Sequence, residues 1–282
     1  MNLSGRQSIR VAILDLYDGV ANQGMRCIRE ILNQFSDQTN LDIIWDEFDV
    51  RQKNEVPDMS YDIFISSGGP GSPLESIGSE WEKVYFHWLS QVEHWNNSKN
   101  RSHKKYVFFI CHSFQLACRH YAVGNVCKRK STAFGVFPVH LLAAGKHEIV
   151  FDGMQDPFYS VDSRDYQVVI EADKDLLHKT DAQILAIEKE RPHVALERAV
   201  MAVRFNKYMI GTQFHPEADP TGMSMYLQTE EKKKTVIENY GEHKWKSMIE
   251  HLNDPDKILH TYSHILPNFL TTALESLQAV AV

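Results

Sequence analysis

Three short stretches carry the residues that could do chemistry. The first is YVFFICHSFQLACRH, Tyr106 to His120. Tyr106 to Ile110 are all apolar or aromatic and predict a buried strand, while Phe114, Leu116, Ala117, Cys118 and Tyr121 continue at helical spacing. Cys111 stands where one pattern becomes the other, with no loop signal between. A strand that bends sharply into a helix exposes the side chain at the bend and aims the first helical N–H groups at it. Those groups and the positive end of the helix favour an anion, so a thiol placed there becomes a better nucleophile. On this stretch alone, a buried structural cysteine fits equally well.

Two further stretches favour the nucleophile. ISSGGPGSP (65–73) again follows a candidate buried strand. Open α/β sheets bind ligands at that edge, and successive glycines let main-chain N–H groups face a ligand, as an oxyanion hole needs. IGTQFHPEAD (210–219) is a strand-like run that ends at His215, with Glu217 two residues on. A cysteine nucleophile needs a base, and the base needs an orienting carboxylate. Pro216 between the two restricts the local backbone.

The order strand–GGPGS, strand–Cys elbow, strand–HPE resembles the class I glutamine amidotransferase family, in particular the amidotransferase domain of GMP synthases, here standing alone. The resemblance spans about residues 9–220. The family elbow reads roughly G-x-C-x-G-x-Q, and this chain has FICHSFQ, so Cys111 and Gln115 match while Phe109 and Ser113 replace the two glycines. Ser67, Gly68, Gly69 and Pro70 match the family's oxyanion loop, and His215, Pro216 and Glu217 match its His-Pro-Glu without change. The resemblance implies a Cys-His-Glu triad in which Cys111 attacks a γ-amide, His215 moves protons and Glu217 holds the imidazole. It implies that the backbone N–H groups of Gly69 and His112 stabilise the oxyanion. Many members carry a Ser-His pair that contacts the amino-acid head of the substrate. The nearest match here is Ser163-Arg164, whose arginine offers a carboxylate a different geometry.

The elements that must position these groups can be read from periodicity. Strands are expected at 9–16, 41–50, 61–67 and 106–110, alternating with helices at 25–35 and 79–95, the latter capped by Ser79. That alternation predicts an α/β fold: an open, mostly parallel, flavodoxin-like sheet flanked by helices. The second half is richer in short strands, among them 134–142, 147–151, 182–190 and 208–215, several of them placed in an antiparallel ribbon. Residues 1–220 are read as the amidotransferase-like domain and 221–282 as a helical C-terminal extension, broken at Asn253–Pro255. About 60 residues make a marginal core alone, so an appendage is expected rather than a second domain.

The chain has 282 residues, 43% hydrophobic and 24% charged, enough for one large domain. A formal net charge of −7 gives nucleic-acid binding no electrostatic support. No stretch has the roughly 18 consecutive apolar residues of a membrane span, and the polar start is not a signal peptide, so a cytoplasmic protein is expected. Four cysteines, none in a CxxC pair, suggest neither a disulfide framework nor a thiolate zinc site. His260 and His264 have i, i+4 spacing without an HExxH carboxylate and read as surface or packing residues. Asp15, Asp18 and Asn22, after the first strand at the expected active edge of the sheet, read as pocket groups or turn formers, with turn formers preferred. No metal and no cofactor is expected.

The leading expectation is therefore hydrolysis of glutamine or another γ-glutamyl amide. With no P-loop or other nucleotide-binding glycine pattern in the tail, any use of the ammonia would need a partner synthetase chain. A γ-glutamyl peptide or conjugate hydrolase is the alternative, and a non-catalytic binding module on the same fold is a third. The tail could cap the cleft or form a homodimer or partner surface.

Overall fold

A computed structural model of the protein describes residues 8–39, 41–170, 181–191, 197–252, 254 and 257–281. The expected break at Asn253–Pro255 falls largely on residues outside these. Nine strands form one curled sheet in the order β2-β1-β3-β4-β9-β8-β7-β5-β6. The strands are β1 (Ser8–Asp15), β2 (Asp42–Asp49), β3 (Ile63–Ser66), β4 (Tyr106–Ile110), β5 (Asn125–Leu141), β6 (Phe158–Val169), β7 (Gln183–Glu188), β8 (Val200–Asn206) and β9 (Met209–Thr212). β2, β1, β3, β4 and β9 run parallel, and β8, β7, β5 and β6 extend the same sheet in antiparallel pairing. The antiparallel ribbon thus continues the main sheet. Residues 149–151, expected within a strand, form a 3₁₀ turn instead.

Central parallel strands are covered on both faces, which is why their sequences read as apolar runs rather than alternating ones. Along β4, Tyr106, Phe108 and Ile110 point to one face, and Val107 and Phe109 to the other. The first face is covered by α1 (Gly24–Thr39) and α8 (Ile258–Ala281). The second is covered by α2 (Val50–Lys53), α3 (Glu80–Asn97) and α4 (His112–His120). α3 starts where Ser79 predicts it, because the Ser79 hydroxyl accepts from the Glu82 amide.

The stretch 221–282 packs in two places. α5 (Pro220–Leu227), α6 (Glu230–Tyr240) and α7 (Glu242–Leu252) build a small core against β5 and β6, around Val136, Val161, Leu227, Val236 and Met248. α8 instead lies in the main core: Ile265, Leu266, Phe269, Leu270 and Ala273 are buried among β-strand and α1 side chains. The Phe269 ring meets Phe108 of β4 edge to face, with centroids 5.2 Å apart. Its packing makes α8 part of the α/β layer structure rather than an attachment to it.

The parallel half has its switch point at β1 and β3. β1 leads through α1 to β2 on one side, while β3 pairs with the other side of β1. Crevices for ligands open at the carboxyl ends of such strands. Phe269→Ala should cost about 3–5 kcal/mol of unfolding free energy, as full deletion of a core ring does. Urea unfolding measures it, and an unchanged midpoint would mean that α8 contributes nothing to the core.

Candidate active site

β4 turns into α4 at a single residue. Cys111 has φ 48° and ψ −96°, outside the ordinary regions for a residue with a Cβ. The bend is held from three sides. The Cys111 amide donates to the Thr212 carbonyl of β9 at 2.8 Å. Ser113 Oγ accepts from the Ile110 amide at 2.8 Å and donates to the Ser66 carbonyl at the end of β3 at 2.7 Å. Ser113, which stands at a family glycine position, therefore staples the elbow to the neighbouring strand. Phe109, at the other glycine position, is accommodated by its cross-strand partner. It lies opposite Gly211, where a Cβ would come within 2.9 Å of Phe109 Cβ. Its ring packs on Phe205.

His215 follows β9, and its amide donates to the Val161 carbonyl of β6 at 2.9 Å. Its Nδ1 lies 2.7 Å from Glu217 Oε1, and its ring and Cys111 both line the same cleft beside Gly68. Burial opposes a charge on His215, but the Glu217 carboxylate and Cys111 outweigh it and hold the imidazole well above its ordinary range. Glu217 is 1% exposed, and its Oε2 has no hydrogen-bond partner among the described residues. The chain thus brings Cys111, His215 and Glu217 together from segments about a hundred residues apart.

The glycine loop after β3 lies beside them. A Cβ on Gly68 would come within 2.9 Å of His215 Cε1, and one on Gly69 would collide with the Leu16 carbonyl. Glycine is thus required at both positions by close approach. Ser67 ties the loop to β1: its amide donates to the Leu14 carbonyl at 3.0 Å, and its Oγ accepts from the Leu16 amide at 2.9 Å. Arg51 of α2 clamps it from outside, donating from Nη1 to the carbonyls of Pro70 at 2.7 Å and Leu16 at 3.3 Å. His112 is the first residue of α4, so its amide has no helical acceptor. Its ring is buried, and burial, helped by Arg51 and Arg119, pushes it down to about 3, which keeps it neutral.

A cleft of about 450 Å³ opens over the thiol. Gly69, His112, Gln115, Ser163 and Arg164 all contribute to its wall. The Ser163 carbonyl accepts from Cys111 Sγ at 3.8 Å. Arg164 belongs to the wall, but its guanidinium is buried elsewhere: Nε contacts both Asp162 oxygens at 2.9 Å, and Nη2 lies 3.7 Å from Glu188. It is tied up in an internal ion-pair network that also includes Arg129. Gln115 is likewise engaged within the protein, donating to Gln213 Oε1 and to the Tyr166 carbonyl.

Sequence reading missed three contributors. Tyr17 sits in a stretch read only as loop, yet its hydroxyl reaches the cleft beside Gly24 and Gly68. Burial, with Glu217 and Cys111 nearby, pushes this phenol well above its ordinary range. Its position just past a central parallel strand was the available signal. Neither Gln213, two residues before His215, nor Arg51 had a local signal. Asp15, Asp18 and Asn22 do act in turns and caps: Asp15 Oδ1 accepts from the Tyr17 amide, Asn22 Oδ1 from the Met25 amide, and Asp18 pairs with Arg51. The His260 and His264 rings pack against each other, with centroids 4.2 Å apart and planes tilted by 41°. Among the described residues no group of three His, Cys, Asp or Glu could hold a metal, and no helix is long and apolar enough to cross a membrane.

A sequence profile described as "Glutamine amidotransferase class-I" matches residues 12–234. The fold is similar to that of a glutamine amidotransferase from Thermotoga maritima, with TM-score 0.65 and 15% identity over 95% of this chain and 98% of that one. It is similar to the glutaminase domain of Trypanosoma brucei CTPS with bound acivicin, with TM-score 0.57 and 15% identity over 95% and 94% of the two chains. It is also similar to a protein from Thermoplasma acidophilum named for a GMP synthase subunit, with TM-score 0.51 and 16% identity over 76% and 86%. No curated protein sequence matches the chain significantly.

The raised imidazole fixes the sign of a pH effect. A group whose folded value lies above its unfolded one, about 6.5 for histidine, contributes stability in full below that pH and loses it as pH rises through the folded value. Glu217→Gln removes the main partner of the charged ring. The thermal midpoint of this variant should therefore fall further below the parent's at pH 6 than at pH 9, measured by scanning calorimetry. An equal deficit at both values would mean that the ring carries no charge in the folded state.

Proposed function

The chain belongs to the class I glutamine amidotransferase family, and from that membership and the cleft geometry we propose that it hydrolyses a γ-glutamyl amide through a Cys111 thioester. The single observation that carries the reading is the His215 ring, bonded through Nδ1 to the buried Glu217 carboxylate and sharing one cleft with the thiol on the Cys111 bend. In the first half-reaction the Cys111 sulfur attacks the γ-carbonyl carbon as a thiolate, its proton already held by the raised His215 imidazole. The carbonyl oxygen becomes an oxyanion beside the amides of Gly69 and His112. The intermediate collapses as the C–N bond breaks, and His215 returns the proton to the departing ammonia. In the second half, water gives a proton to His215 and attacks the thioester. The C–S bond breaks, the sulfur leaves as a thiolate beside the charged His215, and glutamate departs with its new carboxyl giving its proton to solvent. Glu217 keeps Nδ1 protonated and offsets the charge on the ring throughout.

The structural likeness to proteins named for GMP synthase and CTPS suggests that the ammonia passes to a partner synthetase chain in the cytoplasm. A second reading has its own support. The Arg164 guanidinium is occupied by Asp162 and Glu188 and does not offer the cleft a cation for a free α-carboxylate. The cleft also falls within the usual range for ligands considerably larger than glutamine. Both favour a γ-glutamyl conjugate, cleaved by the same steps with an amine in place of ammonia.

Release of ammonia or amine from glutamine and from a panel of γ-glutamyl amides and peptides tests the proposal. Turnover on at least one member should fall at least about 10³-fold in Cys111→Ala, with thermal stability retained, because loss of the nucleophile leaves only binding and oxyanion terms. Activity on conjugates alone would remove the ammonia-donor reading. No turnover, with Cys111 also inert to a glutamine-like electrophile, would point to a non-catalytic member.

A further inference from the structure

One more side chain touches the reactive sulfur. Gln213 is fully buried, and its Nε2 lies 3.7 Å from Cys111 Sγ. The two ends of an amide are told apart by their partners. Gln115 Nε2 donates to Gln213 Oε1 at 3.0 Å and to the Tyr166 carbonyl at 3.3 Å. Because Gln115 supplies an N–H to the oxygen end, Gln213 must present its NH₂ end to the sulfur. Its backbone is also anchored, with the amide donating to the Met201 carbonyl at 2.8 Å. The sulfur also meets an acceptor, the main-chain Ser163 carbonyl at 3.8 Å. An acceptor serves the S–H of a thiol, whereas an N–H donor serves a thiolate.

We propose that Gln213 is a further catalytic residue, whose side-chain amide donates to Cys111 Sγ and stabilises the thiolate, and that Gln115 is the positioning residue that holds the amide the right way round. The assignment rests on Cys111 being the nucleophile but not on any particular substrate. The titratable groups around the sulfur are His215 and Glu217 after β9, Tyr17 after β1, and His112 at the start of α4. From β6, Asp165 lies in the cleft wall hydrogen-bonded to Thr132, and Arg164 and Asp162 pair with each other. From α1, Cys27 lines the same cleft, its thiol pushed up to about 12 by burial. The Tyr17 phenol also stays neutral, but among the described residues it makes no hydrogen bond to the sulfur, whereas Gln213 does.

The test is the rate of iodoacetamide alkylation at Cys111, followed by peptide mass mapping from about pH 5 to about pH 9.5. Gln213→Met keeps the length and loses the donor. It should slow alkylation about tenfold near pH 6, the effect of one hydrogen bond to a charged group, with the gap closing at the alkaline end. Gln115→Met should slow it by about threefold, and the double variant should be no slower than Gln213→Met, since both act through one contact. Profiles that superimpose on the parent's, or a slowing equal at every pH, would overturn the assignment. If Gln213→Met does not fold, Gln115→Met decides in the same way. A parent chain that alkylates with this pH dependence yet releases nothing from γ-glutamyl amides would overturn the proposed reaction and leave the role of Gln213 standing. Turnover by a parent whose alkylation ignores Gln213 would do the reverse.

Discussion

At Cys111 the backbone takes a positive φ of 48°, a conformation that costs a residue with a side chain on the order of 1–3 kcal/mol, and such strain persists only where the surroundings over-determine it. Here they do. β9 receives the Cys111 amide, Ser113 laces the first turn of α4 to the end of β3, and Gly211 clears the space that Phe109 fills. Each of these contacts crosses from β4 to a neighbouring parallel strand. The sulfur is therefore held by the sheet itself rather than by a loop.

The same construction explains how a buried carboxylate and imidazole coexist so close to the thiol. Glu217 is almost fully buried and would be costly alone. It is tolerated because His215 lies against one of its oxygens and is drawn toward the charged form by it. Removing either partner leaves the other as an uncompensated buried group. The β6 side of the cleft repeats the pattern with Arg164, Asp162, Glu188 and Arg129. That network keeps the strand bearing the Ser163 carbonyl in place, and in doing so withdraws the one arginine that the neighbouring motif would have offered a substrate.

The C-terminal helices divide between two tasks. α8 completes the layer over β4 and α1, so the last turns of the chain belong to the same core as its first strand. α5, α6 and α7 lean on the β5–β6 side, and the start of α5 is latched to α1 by Arg26 and Asp219 at 2.6 Å. Ala218, Asp219 and Met223 line the cleft from this side. One wall of the cleft is therefore built from residues at and beyond the point where composition alone places a boundary.

What the sequence by itself determined was whatever depends on near neighbours in the chain. Apolar runs marked β1, β3 and β4, the cap at Ser79 marked α3, and the Cys, Gly-Gly and His-Pro-Glu stretches stood out because each directly follows such a run. The partners of those residues were not legible. That Gly211 makes room for Phe109, that Arg164 turns inward to Asp162 and Glu188, that Gln213 meets the sulfur, and that α8 joins the main core all depend on which segments the sheet order sets side by side. Residues far apart in sequence become neighbours only through β4–β9 pairing and helix packing, and no local periodicity encodes such a pairing. Only the tertiary structure decided them.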